Sequence, residues 1–524
     1  MDTKFAHDDG NVVVIIGSGA GGATLGNELA QRGVKVVILE AGKHFTQADF
    51  VNDEWAMFKK ISWLDKRISA GGWHHTKTYP NLPAWIVKAV GGSTVHWSGV
   101  ALRFQEHEFH TRTTYGAIDG ANVLDWPITL AELAPFYDLA EKKIGVAGTA
   151  ASGQPPLPYN NHAKVVAEGA RRIGYKNIVR PAATNSAPYD GRPACMQIGF
   201  CMQGCKIGAK WSTLYTEVPK ALATGNAELR PECMVLKIEH DKDGKASGVL
   251  YVDGNGKQQL QRARIVCVAG NSIESPRLLL NSASSLFPQG LANSSGQVGR
   301  NYMNHATAAA IAIHKGPVYM NRGFDIGAVV ADEAALNTQR GFAGGYYLEG
   351  LALGFPYTAA FIKPGGWGRD LTSALDHYDR MTAIWVCGED LAREENSITL
   401  HPTEKDQYGL PVPIVTKTYH DNDKAIAAHG LKQFRALSEA VGATRVIDMP
   451  AYPASHNMGT NRMSAKASDG VVNKWGQAHD IKNLFVSDGS QFTSSSAANP
   501  TLTIVALAIR QAKYIADAMQ RREI

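Results

Sequence analysis

The chain opens on a change of hydrophobic period. Residues 11–16 (NVVVII) are apolar without alternation, the pattern of a parallel strand buried on both faces. Glycines end that run, and residues 23–32 then space their apolar positions as a helix does, with Gly33 as the stop. Residues 34–39 (VKVVIL) predict a second strand, closed by Glu40. Further strands are predicted at 265–268 (IVCV), 381–387 and 484–487, and a last helix over 500–519. From about 300 to 453 the pattern loosens into longer loops, with the glycine pairs Gly344-Gly345 and Gly365-Gly366, which suits a mostly antiparallel sheet. The expected fold class is therefore α/β, a Rossmann-like domain of parallel strands joined to an α+β domain. Neither an internal repeat nor a low-complexity tract interrupts it.

The first glycines sharpen that expectation. In Gly17-x-Gly19-x-x-Gly22, the first permits the tight turn after the strand, the second lets backbone approach a pyrophosphate, and the third lets the helix pack closely. The helix N-terminus then faces the phosphates, and Glu40 can accept hydrogen bonds from a ribose diol. Strand, glycines, helix, strand and acid together predict dinucleotide binding.

Composition narrows the rest. At 524 residues, 44% hydrophobic and 19% charged, the chain is not disordered. Its length predicts about two to four domains. A formal charge of +5 without a Lys/Arg cluster argues against nucleic acid as a partner. No apolar stretch approaches the roughly 20 residues that span a bilayer. The N-terminus, with Asp2, Asp8 and Asp9, lacks the basic and apolar regions of an export signal.

Six cysteines are too few for a disulfide scaffold, yet Cys195, Cys201 and Cys205 fall together. They form no CxxC pair and lack a fourth Cys or close His, which argues against a zinc knuckle. Thiolates are the ligands of iron-sulfur clusters, and Lys206, Lys210 and nearby amides could offset such a cluster's charge. Cys233, Cys267 and Cys387 read as buried thiols. His107-Glu108-Phe109-His110 is one residue short of HExxH, and neither a GxSxG elbow nor a Walker lysine is present, so protease, hydrolase and P-loop readings fail.

Separated segments in consistent order resemble the glucose-methanol-choline (GMC) family of FAD oxidoreductases. They are Gly17, Gly19, Gly22 and Glu40; Val90-Gly91-Gly92-Ser93-Thr94; residues 270–280 (GNSIESPRLLL); Val298-Gly299-Arg300-Asn301; His456-Asn457-Met458-Gly459-Thr460; and Asn499-Pro500-Thr501-Leu502-Thr503-Ile504. Residues 185–209, with their three cysteines, and His96-Trp97 resemble more closely its iron-sulfur branch, the flavoprotein large subunits of bacterial glucose, fructose and gluconate dehydrogenases.

The resemblance implies an FAD-binding domain from 1–300 and 455–524, including a cluster loop at 190–212 and some substrate-domain insertions, and an interleaved substrate-binding domain at 301–454. FAD contacts are expected from the fingerprint residues, Gly91, Gly92, Ser93, His96, Asp488, Pro500 and Thr501. His456 is expected to take the hydroxyl proton as hydride leaves for the flavin, a role that suits an imidazole of ordinary pKa near 6.5. Asn499 is expected to hold the same hydroxyl and also to cap the last helix, with Pro500 at its first position. His96 either joins the flavin's 8α-methyl carbon covalently or lines the site without a bond. The three cysteines imply a [3Fe-4S] cluster, since Met196 stands where some relatives have a further cysteine. The Trp-rich stretch 55–97 is either core or a platform for sugar rings.

The expected reaction is oxidation of an alcohol of a sugar, sugar acid, polyol or glycoside. Electrons would leave through the cluster to a cytochrome or quinone. Rival readings are an oxygen-reducing sugar oxidase, a lyase with structural FAD, and a non-catalytic redox subunit. The expected partners are a small subunit carrying the export signal and a multihaem cytochrome c, with a periplasmic or else a cytoplasmic home.

Overall fold

The uninterrupted apolar runs become neighbours in one parallel sheet. A computed structural model describes residues 3–60, 86–363, 366–449 and 456–524. In it Val13–Ile16 pairs in parallel with Val36–Leu39 on one side and Ile265–Val268 on the other. Leu484–Val486 and Ala227–Arg230 complete the five strands. All but Ala227–Arg230 are buried along their whole length, which is why they read as plain β-branched runs. Ala227–Arg230 (AELR) lies at the sheet edge, half-buried, and has no such signature. The first helix is Ala20–Gln31, so Gly21 and Gly22 form its opening turn, and it packs against the last helix, Thr501–Gln520.

The expected antiparallel layer is a six-stranded sheet in the order Arg445–Met449, Ala306–Ile313, Met381–Gly388, Tyr346–Gly350, Val329–Val330 and Ile178–Val179. One face takes the helices Asn161–Arg172 and Asp421–Ala440 onto Ala308, Ala310 and Ile384. Strand alternation sends Ala309, Tyr347, Trp385 and Cys387 to the other face, which joins the core shared with the parallel-sheet half. Smaller antiparallel units are Met234–His240 with Ala246–Val252 and Gln258–Arg262, and Ser397–Lys405 with Pro411–Thr416. Among the described residues no helix is long and apolar enough to cross a membrane. Of the Trp-rich stretch, Trp63, Trp73 and Trp85 lie outside the described residues. Trp97 is half-buried: its indole N–H donates to the Trp211 carbonyl at 2.9 Å, and it also lines the cleft between the sheets.

Candidate active site

The two layers meet along a cleft with about 2210 Å³ of empty space, counted out to its mouth. Every predicted cofactor contact lines it directly except Gly22 and Gly91, which lie just behind its wall. The glycines have distinct local reasons. Gly17 has φ +103°, and a Cβ there would stand 2.4 Å from the Ala269 carbonyl oxygen. At Gly22 a Cβ would meet the Gly17 oxygen at 2.1 Å. At Gly19 it would meet only Gly92 Cα, at 4.0 Å, because the space in front is open cleft. Gly21, outside the motif's three fixed positions, is the tightest, with 1.6 Å to the Ser487 oxygen. Since Gly19 is the N-cap and brings no side chain, the first amides of Ala20–Gln31 remain available to an anion. That uncapped end beside open cleft fits a dinucleotide pyrophosphate.

Glu40 and Asp488 are already engaged by the chain. Glu40 Oε2 accepts from Ser18 N at 3.0 Å and Ser18 Oγ at 2.7 Å, and Oε1 accepts from Gly42 N at 2.9 Å. Lone pairs remain for a ribose. Asp488 Oδ2 accepts from Asn271 N and Ser275 Oγ, and Oδ1 from Ser490 N and Oγ. Asp488 thereby ties the start of the helix Asn271–Asn281 to the turn at Gly489.

At the other end stand His456 and Asn499, brought together from positions 43 residues apart. His456 Nδ1 lies 3.1 Å from His305 Nδ1, which leaves Nε2 as the ring nitrogen for the cleft. Burial, and secondarily His305, hold the His456 imidazole well below its ordinary pKa, so it stands neutral. The Trp385 ring lies 5.2 Å from it, close enough to favour an imidazolium. His305 is itself pushed down to about 4 by burial and lies 2.8 Å from Cys387 Sγ. Cys387 Sγ also lies 3.3 Å from the Ala497 carbonyl, to which its thiol donates.

The expected capping role of Asn499 is not found. The last helix starts at Thr501, Pro500 is its cap residue, and no side chain caps it. Pro500 already sits in the helical region and has no N–H, so the Asn499 amide is released toward the cleft and Glu349. The uncapped helix start, with Pro500 and Thr501 in the cleft wall, directs a positive dipole end at the same place.

His96 follows the turn Gly92–Val95, which Gly91 enters in a left-handed conformation. Its Nδ1 lies 2.5 Å from the Met202 carbonyl and so carries the proton. Nε2 is therefore unprotonated, and it is buried without a partner. Burial pushes this imidazole down to about 3.

Met202 belongs to the cysteine loop, which thus packs directly behind a cleft residue. Cys201 is buried, Cys195 and Cys205 half-buried, and all three thiols are free. Each sulfur faces a backbone donor: Gln197 N for Cys195 at 3.4 Å, Lys210 N for Cys205 at 3.5 Å, and the Asp325 amide for Cys201. Gln197 and Phe200 take positive φ values of 55° and 61°, curling the loop around them. Lys210 is buried and donates Nζ to the carbonyls of Val95, Trp97 and Cys201, whereas Lys206 is exposed. Burial pushes the Cys195 and Cys201 thiols up and the Asp325 carboxyl adds to it, while the backbone donors act in the opposite sense.

Several residues had no local signal. Glu349, His305 and Trp385 sit in or beside strands and reach this end only through sheet pairing. Glu389 comes within 4.8 Å of His107 and Glu108, yet Glu108 already accepts from Gln105 N and Ala497 N, so it pins the loop before Asn499.

Comparison with known proteins gives a consistent picture. Two GMC oxidoreductase family profiles match residues 9–307 and 392–508. A 2-methyl-1,2-propanediol dehydrogenase of Mycolicibacterium austroafricanum is 34% identical across 96% of this chain and 94% of its own length. The fructose dehydrogenase large subunit of Gluconobacter japonicus is 29% identical across 97% and 98%. Among solved structures, pyridoxine 4-oxidase from Mesorbium loti aligns over 96% of this chain and 98% of its own, with a TM-score of 0.63 at 14% identity, a likeness of fold.

Proposed function

The chain belongs to the GMC oxidoreductase family, and from that premise we propose that it is an FAD-dependent dehydrogenase oxidising an alcohol of a sugar, sugar acid, polyol or small diol. The observation that carries this reading is the convergence of His456, Asn499 and an uncapped helix start at one end of a cleft whose other end is built for a dinucleotide. Bound FAD supplies a two-electron acceptor for the carbon-bound hydride. The chain's own part is the proton and the alignment. His456 takes the hydroxyl proton at Nε2, and Asn499 hydrogen-bonds the same oxygen. The helix start favours the negative charge that gathers beside it.

In the same reading the loop with Cys195, Cys201 and Cys205 seats a [3Fe-4S] cluster, which supplies single-electron passage outward. The backbone donor to each sulfur supports this, as does the contact from Met202 to His96. The free, unprotonated Nε2 of His96 supports a covalent attachment to the flavin through that nitrogen. A cluster is superfluous where oxygen reoxidises the flavin directly, so the reading is a dehydrogenase working with a cytochrome-bearing partner and a small export subunit in the periplasm.

The test is an anaerobic screen of sugars, polyols and small branched diols, the last because the 34%-identical relative is named for one. Loss of flavin absorbance on mixing, together with iron and an EPR signal in anaerobically purified protein, is the expected result. Turnover that needs only oxygen and yields peroxide would replace the dehydrogenase with an oxidase. Iron-free protein would remove the cluster.

A further inference from the structure

Glu349 is an acid in a place where an acid is costly. It lies on the strand Tyr346–Gly350, which is buried at every position, and its cross-strand neighbours are Trp385 and Val329. Its own exposure is 0%, and the Asn499 amide is the one side chain among the described residues that hydrogen-bonds its carboxyl, with no cation beside it. The titratable groups that feel it are Cys387 on the paired strand and Tyr347 on its own, neither a cation. A buried carboxyl left so would normally be replaced or paired. The Asn499 amide keeps its Oδ1 buried without a partner. With its N–H toward the carboxyl the amide leaves Oδ1 nothing to accept from, whereas turned end for end it would accept from a neutral Glu349 and free its NH2.

We propose that Glu349 acts as a neutral carboxylic acid that donates its O–H to Asn499 Oδ1, and so fixes the amide with its NH2 turned to the substrate oxygen. This rests on the alcohol-oxidation reading above. The two ends of an amide have nearly the same shape, so hydrogen bonding decides which faces the cleft. The acid selects Oδ1 and leaves a donor for the substrate. The carboxylate would select Nδ2, leave an acceptor in the cleft, and add an unpaired negative charge. A donor is what the reaction needs, because the alcohol oxygen gains negative charge as its proton passes to His456. Burial pushes the Glu349 carboxyl up to about 8, so the acid form prevails at neutral pH. Glu349 is a positioning residue: it acts through Asn499 and touches no reacting atom.

The experiment compares Glu349→Gln and Glu349→Leu with the wild type by rapid anaerobic flavin reduction across pH, and by infrared difference spectroscopy without substrate. Glutamine keeps an N–H donor for Oδ1 and does not ionise. It should preserve most of the reduction rate and abolish the wild type's alkaline fall near pH 8. Leucine should lower the rate by about 10²-fold, the scale of one lost oriented donor, with little change in half-saturating substrate. The infrared spectra should show protonated carboxyl carbonyls in the wild type that disappear on raising the pH, with one component, beyond that of Glu389, missing from Glu349→Gln. That component needs no substrate, so its presence alongside a failed alcohol screen would sink the functional reading and leave the protonated Glu349 standing. Identical wild-type and Glu349→Gln infrared spectra at pH 7, or an unchanged alkaline fall in the glutamine variant, would overturn the inference. If the leucine variant does not fold, the glutamine variant and the infrared band decide alone.

Discussion

The two ends of the cleft differ in how they leave their polar groups. At the nucleotide end, Glu40 holds three donors, two from Ser18 in the glycine turn and one from Gly42, and Ser18 Oγ accepts from Gly91 N at 3.0 Å. Selectivity there is a matter of backbone shape, carried by residues with no side chain. At the reaction end Asn499 Oδ1 and Trp385 Nε1 are buried without partners, and the Glu349 carboxyl has the Asn499 amide but no cation to balance a charge. Unsatisfied groups cost stability, and that cost leaves their protonation and orientation free to respond to a ligand. A binding end can be rigid and satisfied, whereas an end that moves a proton keeps groups poised away from their ordinary state.

The strongest way to break that contrast is Gly21→Ala. A Cβ 1.6 Å from the Ser487 oxygen drives the first helix off the sheet, so purified protein should carry no flavin absorbance. Gly19→Ala, which meets nothing nearer than 4.0 Å, should fold and hold flavin more weakly. Equal flavin content in the two would deny that backbone shape governs this end. Next, His456→Ala should retain flavin while its rate of reduction by substrate drops about 10²–10⁴-fold, the usual worth of a general base. Cys201→Ser should leave that first reduction nearly intact and lose both the iron EPR signal and reduction of a one-electron dye.

The smallest effect is in stability against pH. Glu349 and Glu389 are raised to about 8 from 4.5, so between those values the folded protein holds more protons than the unfolded chain, and stability falls as pH rises. His305 and His162, lowered to about 4 from 6.5, act oppositely, and their contribution is lost as pH falls through that window. The two effects oppose each other between pH 4.5 and 6.5. Thermal midpoints should therefore be nearly level there and drop by several degrees toward pH 9. Glu349→Gln should shallow the alkaline drop, and a midpoint that climbs from pH 6.5 to 9 would contradict the buried acids.

What could be read without the structure follows from how local each feature is. The parallel strands were legible because burial on both faces leaves nothing to alternate, and Ala227–Arg230 was not because an edge strand needs no apolar run. The fingerprint glycines, His456 and Asn499 were reached from motifs within short segments. The capping role of Asn499 was misread because helix starts depend on backbone angles at Pro500. Glu349, in the run YYLEG, looks like an ordinary solvent-facing acid on a half-buried strand, and nothing in its neighbours along the chain says otherwise. Cys387 read as a filler thiol, and only pairing of its strand with Ala306–Ile313 sets it beside His305.

The amino-acid sequence by itself determined the family, the two-layer fold and the nucleotide end, since those depend on short-range patterns of glycine, apolar period and turn. Tertiary structure alone decided which polar groups at the reaction end would be left unpaired. Burial and hydrogen-bond satisfaction belong to the whole packed assembly. The protonation states of His456, His305 and Glu349 therefore exist only once strands far apart in the chain have closed around them.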